Sequence, residues 1–305
     1  MAKILISGGS GLLGKAITDL FISKKHEVVV LSRHANSTNG IQTYQWDWKN
    51  KSIDLAAFDN VDVLIHLAGA GIVDKAWTPA YKKEIIDSRV KSSQLLIDTI
   101  QQNKIPLKQF IGASAVGYYG AEQSAQLFTE TSAPGHDFMG DTCVKWEAAY
   151  APFEKLADKM TIFRISIVLA SQGGALPKMS MPFKYGFGAA LASGQQYFPW
   201  IHIDDLSNLF LYAVENPQLN GTFNAVAPEI VTNQLFSKKL AKSLNRPFFL
   251  PNVPEFLLKL ILGERHLTLT RGLKISCDKL IQHNFHFQYG TLDAALNALN
   301  PSKAR

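Results

Sequence analysis

The chain has 305 residues, 47% hydrophobic and 18% charged, enough to bury the core of one large α/β domain or two unequal ones. No apolar run reaches the length of a membrane span, and the apolar start at Ile4 is too short for a signal peptide, so no membrane partner is expected. Two cysteines, Cys143 and Cys277, form neither a disulfide framework nor a metal set. The +6 net charge comes from scattered Lys and Arg without a basic stripe or aromatic platform. The expectations are therefore a cytoplasmic protein, no metal and no nucleic acid.

The first element is a short apolar strand, Ile4-Leu5-Ile6, which breaks into Ser7-Gly8-Gly9-Ser10-Gly11-Leu12-Leu13-Gly14 and continues with helical spacing from Lys15. Strand, glycine turn and helix form the context of a dinucleotide-phosphate site. Gly8 permits the turn, Gly11 lets backbone approach the pyrophosphate, and Gly14 lets the helix pack on the strand, while the helix N-terminus offers free N–H groups. The spacing is Gly-x-x-Gly-x-x-Gly rather than Gly-x-Gly-x-x-Gly.

Glu27 to Leu31 reads as a second buried strand, ending in Ser32-Arg33-His34. An NAD site places an acidic residue at this point, on the ribose 2′-hydroxyl. Here a hydroxyl and a guanidinium stand instead, which suits a 2′-phosphate and predicts NADP(H) over NAD(H). Ile41 to Asp47 is a third strand, whose Asp47 either approaches an adenine edge or closes an ordinary turn. Asp62 to Gly69 is a fourth, and its small end Leu67-Ala68-Gly69 lets backbone pass close to a cofactor; His66 within it reads as a packed strand residue. Thr78-Pro79 starts a helix running to about Gln102. Glu84 and Arg89, five apart on it, read by default as surface residues.

Phe110 to Ser114 is a fifth strand that opens, through Gly117-Tyr118-Tyr119-Gly120, at the carboxyl edge of the sheet, where open α/β sheets bind ligands. Ser114 either hydrogen-bonds a substrate or closes a buried turn. A helix from Gly140 and a strand over Thr161 to Leu169 follow. After Gly173-Gly174 the alternation weakens, although Trp200 to Leu206 with its following helix and the strand Gly221 to Val226 still resemble the first lobe. From Asn233 the chain is mostly helical, with a short strand expected at Phe285 to Tyr289. The expected architecture is α/β: a Rossmann-like doubly wound parallel sheet over 1–170, joined by elements around 200–226, with a smaller, mostly helical C-terminal substrate lobe over 171–305. Pro182-Phe183 and Gly186-Phe187-Gly188 are expected to line a pocket in that lobe.

These pieces together resemble an extended short-chain dehydrogenase/reductase, through Ser7 to Gly14, His66-Leu67-Ala68-Gly69, Ser114 before Tyr-Gly, and Trp200 to Leu206. Within that class the chain is similar to an atypical branch of bacterial epimerase family proteins with a C-terminal domain of unknown function. That likeness spans nearly the whole chain, including Trp77-Thr78, Ser88-Arg89, Trp146 to Ala149, Gly173 to Leu176, Phe223 to Pro228 and Leu292 to Leu296. The resemblance implies NADP(H), with Ser32 and Arg33 on the 2′-phosphate and Gly8, Ser10, Gly11, Leu12, Leu13, Gly14, Leu67, Ala68, Gly69, Glu84 and Arg89 about the cofactor. It also implies Val168 beside the nicotinamide half, with Arg164 orienting its strand or reaching substrate. It further suggests a small carbonyl or hydroxyl substrate, a nucleotide sugar among the candidates, and a homodimer.

The departure concerns the chemistry. Short-chain reductases usually carry Tyr-x-x-x-Lys, in which the Lys lowers the Tyr pKa for proton exchange, and extended members add a Glu four residues on. Registered on Glu147, the Lys position holds Cys143 and the Tyr position Met139; Lys145 lies in another register without a Tyr. Ser114 as a substrate-orienting hydrogen-bonder and Tyr118, or its neighbour Tyr119, as proton donor are the replacement candidates. The expectation is an NADP(H)-dependent oxidoreductase or epimerase. Its alternative is a catalytically inactive NADP(H)-binding sensor or scaffold.

Overall fold

The computed structural model describes residues 1–33, 40–121, 126–216 and 218–300. The first half builds the sheet. Strand β1 (Lys3–Ser7) leads through the glycine turn into helix α1 (Leu12–Ser23), followed by β2 (Glu27–Ser32), β3 (Gln42–Asp47), the short β4 (Ser52–Ile53) and β5 (Val63–His66). Helix α2 (Pro79–Gln102) begins where the sequence predicts, with Thr78 as N-cap accepting the Tyr81 N–H and Pro79 at its first position. Then come β6 (Leu107–Ala115), β7 (Leu127–Phe128), α3 (Phe138–Ala148), α4 (Phe153–Leu156), β8 (Ala157–Ile165), β9 (Ile167–Leu169) and α5 (Ala175–Lys184). Strand β10 (Trp200–His202) runs straight into α6 (Ile203–Glu215), and β11 (Gly221–Ala225) follows. The remainder is α7 (Asn233–Ser243), α8 (Glu255–Leu262), α9 (Leu267–Thr270), β12 (Lys274–Ile275), α10 (Asp278–Gln282) and α11 (Leu292–Ala298).

Among the described residues eight strands form one sheet in the order β11-β8-β6-β5-β1-β2-β3-β4, parallel except for the antiparallel edge strand β4. From β1 the chain winds outward through β2 and β3, then returns to start β5 on β1's other side. The order therefore reverses between β1 and β5, and the crevice at their carboxyl ends is where such a sheet takes a ligand. Alternation along β1 divides the two faces. Ile4 and Ile6 pack with Ile17 and Phe21 of α1 and Leu206 and Phe210 of α6, whereas Leu5 packs with Leu96 and Ile100 of α2. A further core in the C-terminal part joins Trp200, Phe236, Leu240, Leu292 and Leu296. Ile201, next along β10, faces the sheet core instead, so one strand serves both cores.

Two expected elements differ. The single strand over Thr161 to Leu169 is broken at Ser166: β8 joins the large sheet, while β9 pairs only with β10. Ser166 donates from both its N–H and its hydroxyl to the Ala225 carbonyl, which turns the chain. Phe285 to Tyr289 is not a strand. Its alternating aromatics pack, but the N–H groups of Gln288 and Tyr289 donate to the wholly buried Asp205 carboxylate, at 2.7 and 2.9 Å, rather than to a neighbouring strand. The pattern of period two reported burial without a ladder. Phe183 is buried in the C-terminal core whereas Phe187 is exposed, so that pair does not act as one pocket wall.

Candidate cofactor and active site

The glycine turn lies against the segment leaving β5. Gly8 has φ +78°, and a Cβ on it would sit 2.9 Å from the Ala68 nitrogen, so glycine is required by both conformation and space. A Cβ on Gly14 would come within 2.5 Å of Gly9 Cα, so Gly14 lets helix α1 close onto the glycine turn itself rather than onto strand β1. The N-cap of α1 is Gly11, with no side chain to satisfy the first N–H groups, so these remain available to an anion. Leu12 packs over the Gly173-Gly174 turn.

A cleft of about 500 Å³ opens from this turn. Gly8, Ser10 and Gly11 form its floor, Leu31, Ser32 and Arg33 one wall, and Leu67 to Gly71 another. Trp46 to Lys49, Asp74, Lys75, Tyr81, Glu84 and Ser88 complete it; of these the sequence singled out Asp47 and Glu84 as single residues and Ser88 within the Ser88-Arg89 motif. Among the described residues no carboxylate pairs with Arg33, which is exposed, and His34 lies outside the described residues. Asp47 accepts from the Lys49 N–H and the Asn50 amide, and these bonds, beginning with that of Lys49, hold its carboxyl below the usual range. Glu84 stands on the rim, 3.8 Å from Lys49 Nζ and 4.0 Å from Lys75 Nζ. These donors fit a dinucleotide: a glycine cradle for the pyrophosphate, a helix N-terminus behind it, and an exposed guanidinium at the end of β2.

Arg89 and His66 support the cleft from behind. Arg89 does not line it: its guanidinium donates to the Ala70 and Ile85 carbonyls and lies over the Trp146 ring, 4.5 Å from the centroid. With Ser88, which accepts the Ala70 N–H, and Tyr81, which donates to Gly71, it staples the 69–72 segment to α2. His66 is wholly buried between Ser7 Oγ, 2.5 Å from Nδ1, and Ser92 Oγ, 3.1 Å from Nε2. Burial, assisted by the Arg89 charge, pushes its pKa down to about 3, so it is a neutral packed residue.

At the carboxyl end of β6 a buried polar network replaces an open serine. Ser114, 2% exposed, donates to Glu147 Oε1 at 2.6 Å. Glu147 also receives Arg164 in a bidentate pair, Nε to Oε1 at 2.9 Å and Nη2 to Oε2 at 2.8 Å. Arg164 is itself buried and donates to Tyr119 Oη (3.0 Å) and to the Glu130 carbonyl. Burial opposes its charge, yet the bonds and charge of Glu147 outweigh burial and raise its pKa. Tyr119 donates onward to Asn224 on β11, and burial pushes its phenol up to about 12 despite Arg164. Tyr118 is different: half-buried, with the Arg164 guanidinium stacked 3.4 Å from its ring centre, its hydroxyl bonds to none of the described residues.

Helix α3 sets the remaining geometry. Asp137 caps it, accepting from the Met139 and Gly140 N–H groups at 2.9 Å. Met139 and Cys143 face Gly117 in the turn after β6, and Glu147 continues the same face, whereas Lys145 is exposed. Burial pushes the Cys143 thiol up to about 12, so it carries no charge near neutrality. Val168 lies half-buried on β9, packed against the core of the sheet, with its carbonyl near the Gly174 turn.

Fold order, switch-point crevice and glycine cradle together define a dinucleotide-binding α/β protein of the Rossmann type. The profile of the NAD dependent epimerase/dehydratase family matches residues 4–226, and that of a domain of unknown function, DUF1731, matches residues 253–299. The chain belongs to the NAD dependent epimerase/dehydratase family. It is 33% identical over 300 residues to the epimerase family protein SAR0825 of Staphylococcus aureus, covering 98% of this chain and 99% of that one. Among solved structures it is similar to the human epimerase family protein SDR39U1 (isoform 2) with NADPH, at TM-score 0.86, 31% identity and 98% and 99% coverage. It is also similar to a nucleoside-diphosphate sugar epimerase from Corynebacterium glutamicum, at TM-score 0.78 and 28% identity, over 98% of this chain and 58% of that one.

Proposed function

We propose that the protein binds NADP(H) in the glycine-turn cleft and acts as an oxidoreductase or epimerase of the extended short-chain type on a small carbonyl or hydroxyl compound. The observation that carries the cofactor choice is the end of β2. Ser32 and exposed Arg33 border the cleft where an NAD site would present a carboxylate. The human relative's structure with NADPH supports the same reading.

When bound, the nicotinamide supplies the hydride chemistry. The chain's own residues orient and protonate. The first N–H groups of α1 and the Ser10-Gly11 backbone hold the pyrophosphate, Arg33 the 2′-phosphate, and the stapled 69–72 segment closes the crevice. Registration of the family motif on Glu147 puts Met139 and Cys143 of helix α3 at the places of the usual Tyr and Lys, and on that reading the proton comes from elsewhere. Tyr118 is our proton donor, since Tyr119 is locked by Asn224 and Arg164 while the Tyr118 hydroxyl has no partner among the described residues. Ser114, bonded to Glu147, is a positioning residue that fixes the turn carrying Tyr118. A screen of carbonyl compounds followed by NADPH absorbance tests this: turnover should occur and Tyr118→Phe should lower kcat at least tenfold. Turnover undiminished in Tyr118→Phe would remove the assignment.

The uncharged Cys143 at the Lys position favours a second reading, a cofactor-binding sensor or scaffold without hydride transfer. NADPH binding with no turnover across the screen is its expected signature.

A further inference from the structure

Beyond the glycine-turn cleft, a cavity of about 700 Å³ opens between the sheet domain and the C-terminal helices. Met139 lines it, and Met139 packs against Gly117, one residue before Tyr118, so the cavity adjoins the turn assigned the proton transfer. Its walls mix aromatic and apolar side chains with charged ones, and Lys82 Nζ lies over the Trp77 and Phe138 rings, 5.9 and 5.1 Å from their centroids. Trp77 and Phe138 meet edge to face with centroids 4.9 Å apart, and Phe256 and Leu267 face them from the C-terminal side. Phe256 is 68% exposed, an aromatic side chain that the fold itself leaves uncovered.

The charges around this cavity are balanced. Its carboxylates are Asp137, Glu255 and Glu264, and its cations Lys82, Lys259 and Arg271. Lys82 pairs with Glu264, and Arg271 Nη2 lies 3.0 Å from Glu255 Oε1, which also faces His266 Nε2 at 3.5 Å. Asp137 caps α3. Lys259 alone among these cations has no ion-pair partner among the described residues. A sugar nucleotide brings a pyrophosphate with about two negative charges, and a site for it needs a surplus of unpaired donors. The single unpaired Lys259 supplies at most one.

The geometry points to an apolar, aromatic carbonyl compound carrying at most one negative charge as the ligand of this cavity. Its rings would lie against Trp77, Phe138 and Phe256, and its one anionic group would meet Lys259. This rests on the proposed oxidoreductase reading for its chemistry, but ligand binding in the cavity can be tested without turnover.

Calorimetric titrations of the full chain with 2-naphthoate, an unreactive apolar monoanion, and with UDP-glucose, each with and without saturating NADPH, decide between the chemistries. Naphthoate should bind with a negative heat-capacity change, and UDP-glucose should bind at least tenfold more weakly. Phe256→Ser, at an exposed position that leaves folding intact, should weaken naphthoate about tenfold, and Lys259→Gln several-fold. Tighter binding of UDP-glucose, no binding of naphthoate, or naphthoate binding indifferent to both substitutions would overturn the inference. Naphthoate binding in a protein that fails to bind NADPH would leave the cavity assignment standing and remove the cofactor reading instead.

Discussion

Gly11→Ala separates a glycine kept for the ligand from one kept for the fold. Gly11 has φ −74° and ψ 171°, ordinary for alanine, and a Cβ there meets the Gly8 carbonyl oxygen at 3.3 Å, a tight contact that a small shift of the turn relieves. The unliganded protein should therefore keep its stability to within about 1 kcal/mol. The methyl group would project where the pyrophosphate must approach the backbone. Losing one charge-assisted hydrogen bond there costs about 1.5–3 kcal/mol, a fall in affinity of about 10- to 150-fold. At a nucleotide concentration of about 100 Kd the wild-type protein gains about 2.7 kcal/mol. With an unfolding entropy of about 2.1 cal/mol/K per residue over 305 residues, that raises Tm by roughly 4 °C. A 100-fold weaker Gly11→Ala should gain about 0.4 kcal/mol, under about 1 °C. Thermal unfolding with and without NADPH reads both quantities. An undiminished ligand shift in Gly11→Ala would refute the phosphate assignment. A large fall in the unliganded Tm would show that Gly11 is structural. Gly14→Ala, whose Cβ would collide with Gly9 backbone, should lose stability with or without nucleotide.

Three further outcomes follow from buried polar groups. His66 titrates near 3 when folded and near 6.5 when unfolded, so the unfolded chain binds the extra proton between those values and stability falls as pH drops through that window. From pH 7 to pH 5 this residue should remove about 2 kcal/mol, at about 1.36 kcal/mol per unit below 6.5, and denaturant titrations of His66→Gln should lack that part of the slope. Glu147→Gln leaves Arg164 buried without its counter-charge and should cost about 3–5 kcal/mol in the same assay, whereas exposed Lys145→Gln should change stability by less than about 0.5 kcal/mol. Asp205→Ala removes the acceptor of the Gln288 and Tyr289 N–H groups, so limited proteolysis should cut near 283–290 faster than in wild type; an unchanged rate would show the segment is held by its aromatics.

The glycine turn and the sheet's parallel strands were readable because their signals are local: apolar runs, a Pro at a helix start, small residues where backbones meet. Glu84 and Arg89 show the limit. Five apart on one helix, they serve the cleft from different sides, Glu84 at its rim and Arg89 through the carbonyls behind it, which the helical spacing alone did not reveal. Ser114 exposed another limit. Its position at a strand end suggested a hydroxyl presented to substrate, but its partner Glu147 is 33 residues away and Arg164 lies on yet another strand. Likewise the Phe285 to Tyr289 alternation signalled burial correctly and pairing wrongly, because Asp205, far off in sequence, takes the hydrogen bonds a neighbouring strand would have made. Motifs such as Ser88-Arg89 and Trp77-Thr78 were visible as family words; their meaning as staples for the 69–72 segment needed coordinates.

On the proposed reading, Arg33 selects NADP(H) over NAD(H) by meeting the 2′-phosphate. Calorimetric titration of NADPH and NADH into wild type and Arg33→Asp tests it most directly. Wild type should bind NADPH at least about tenfold more tightly, as one or more charge-assisted hydrogen bonds to a 2′-phosphate require, and Arg33→Asp should abolish or reverse that preference. Equal affinities of the wild-type protein for the two nucleotides would contradict the account.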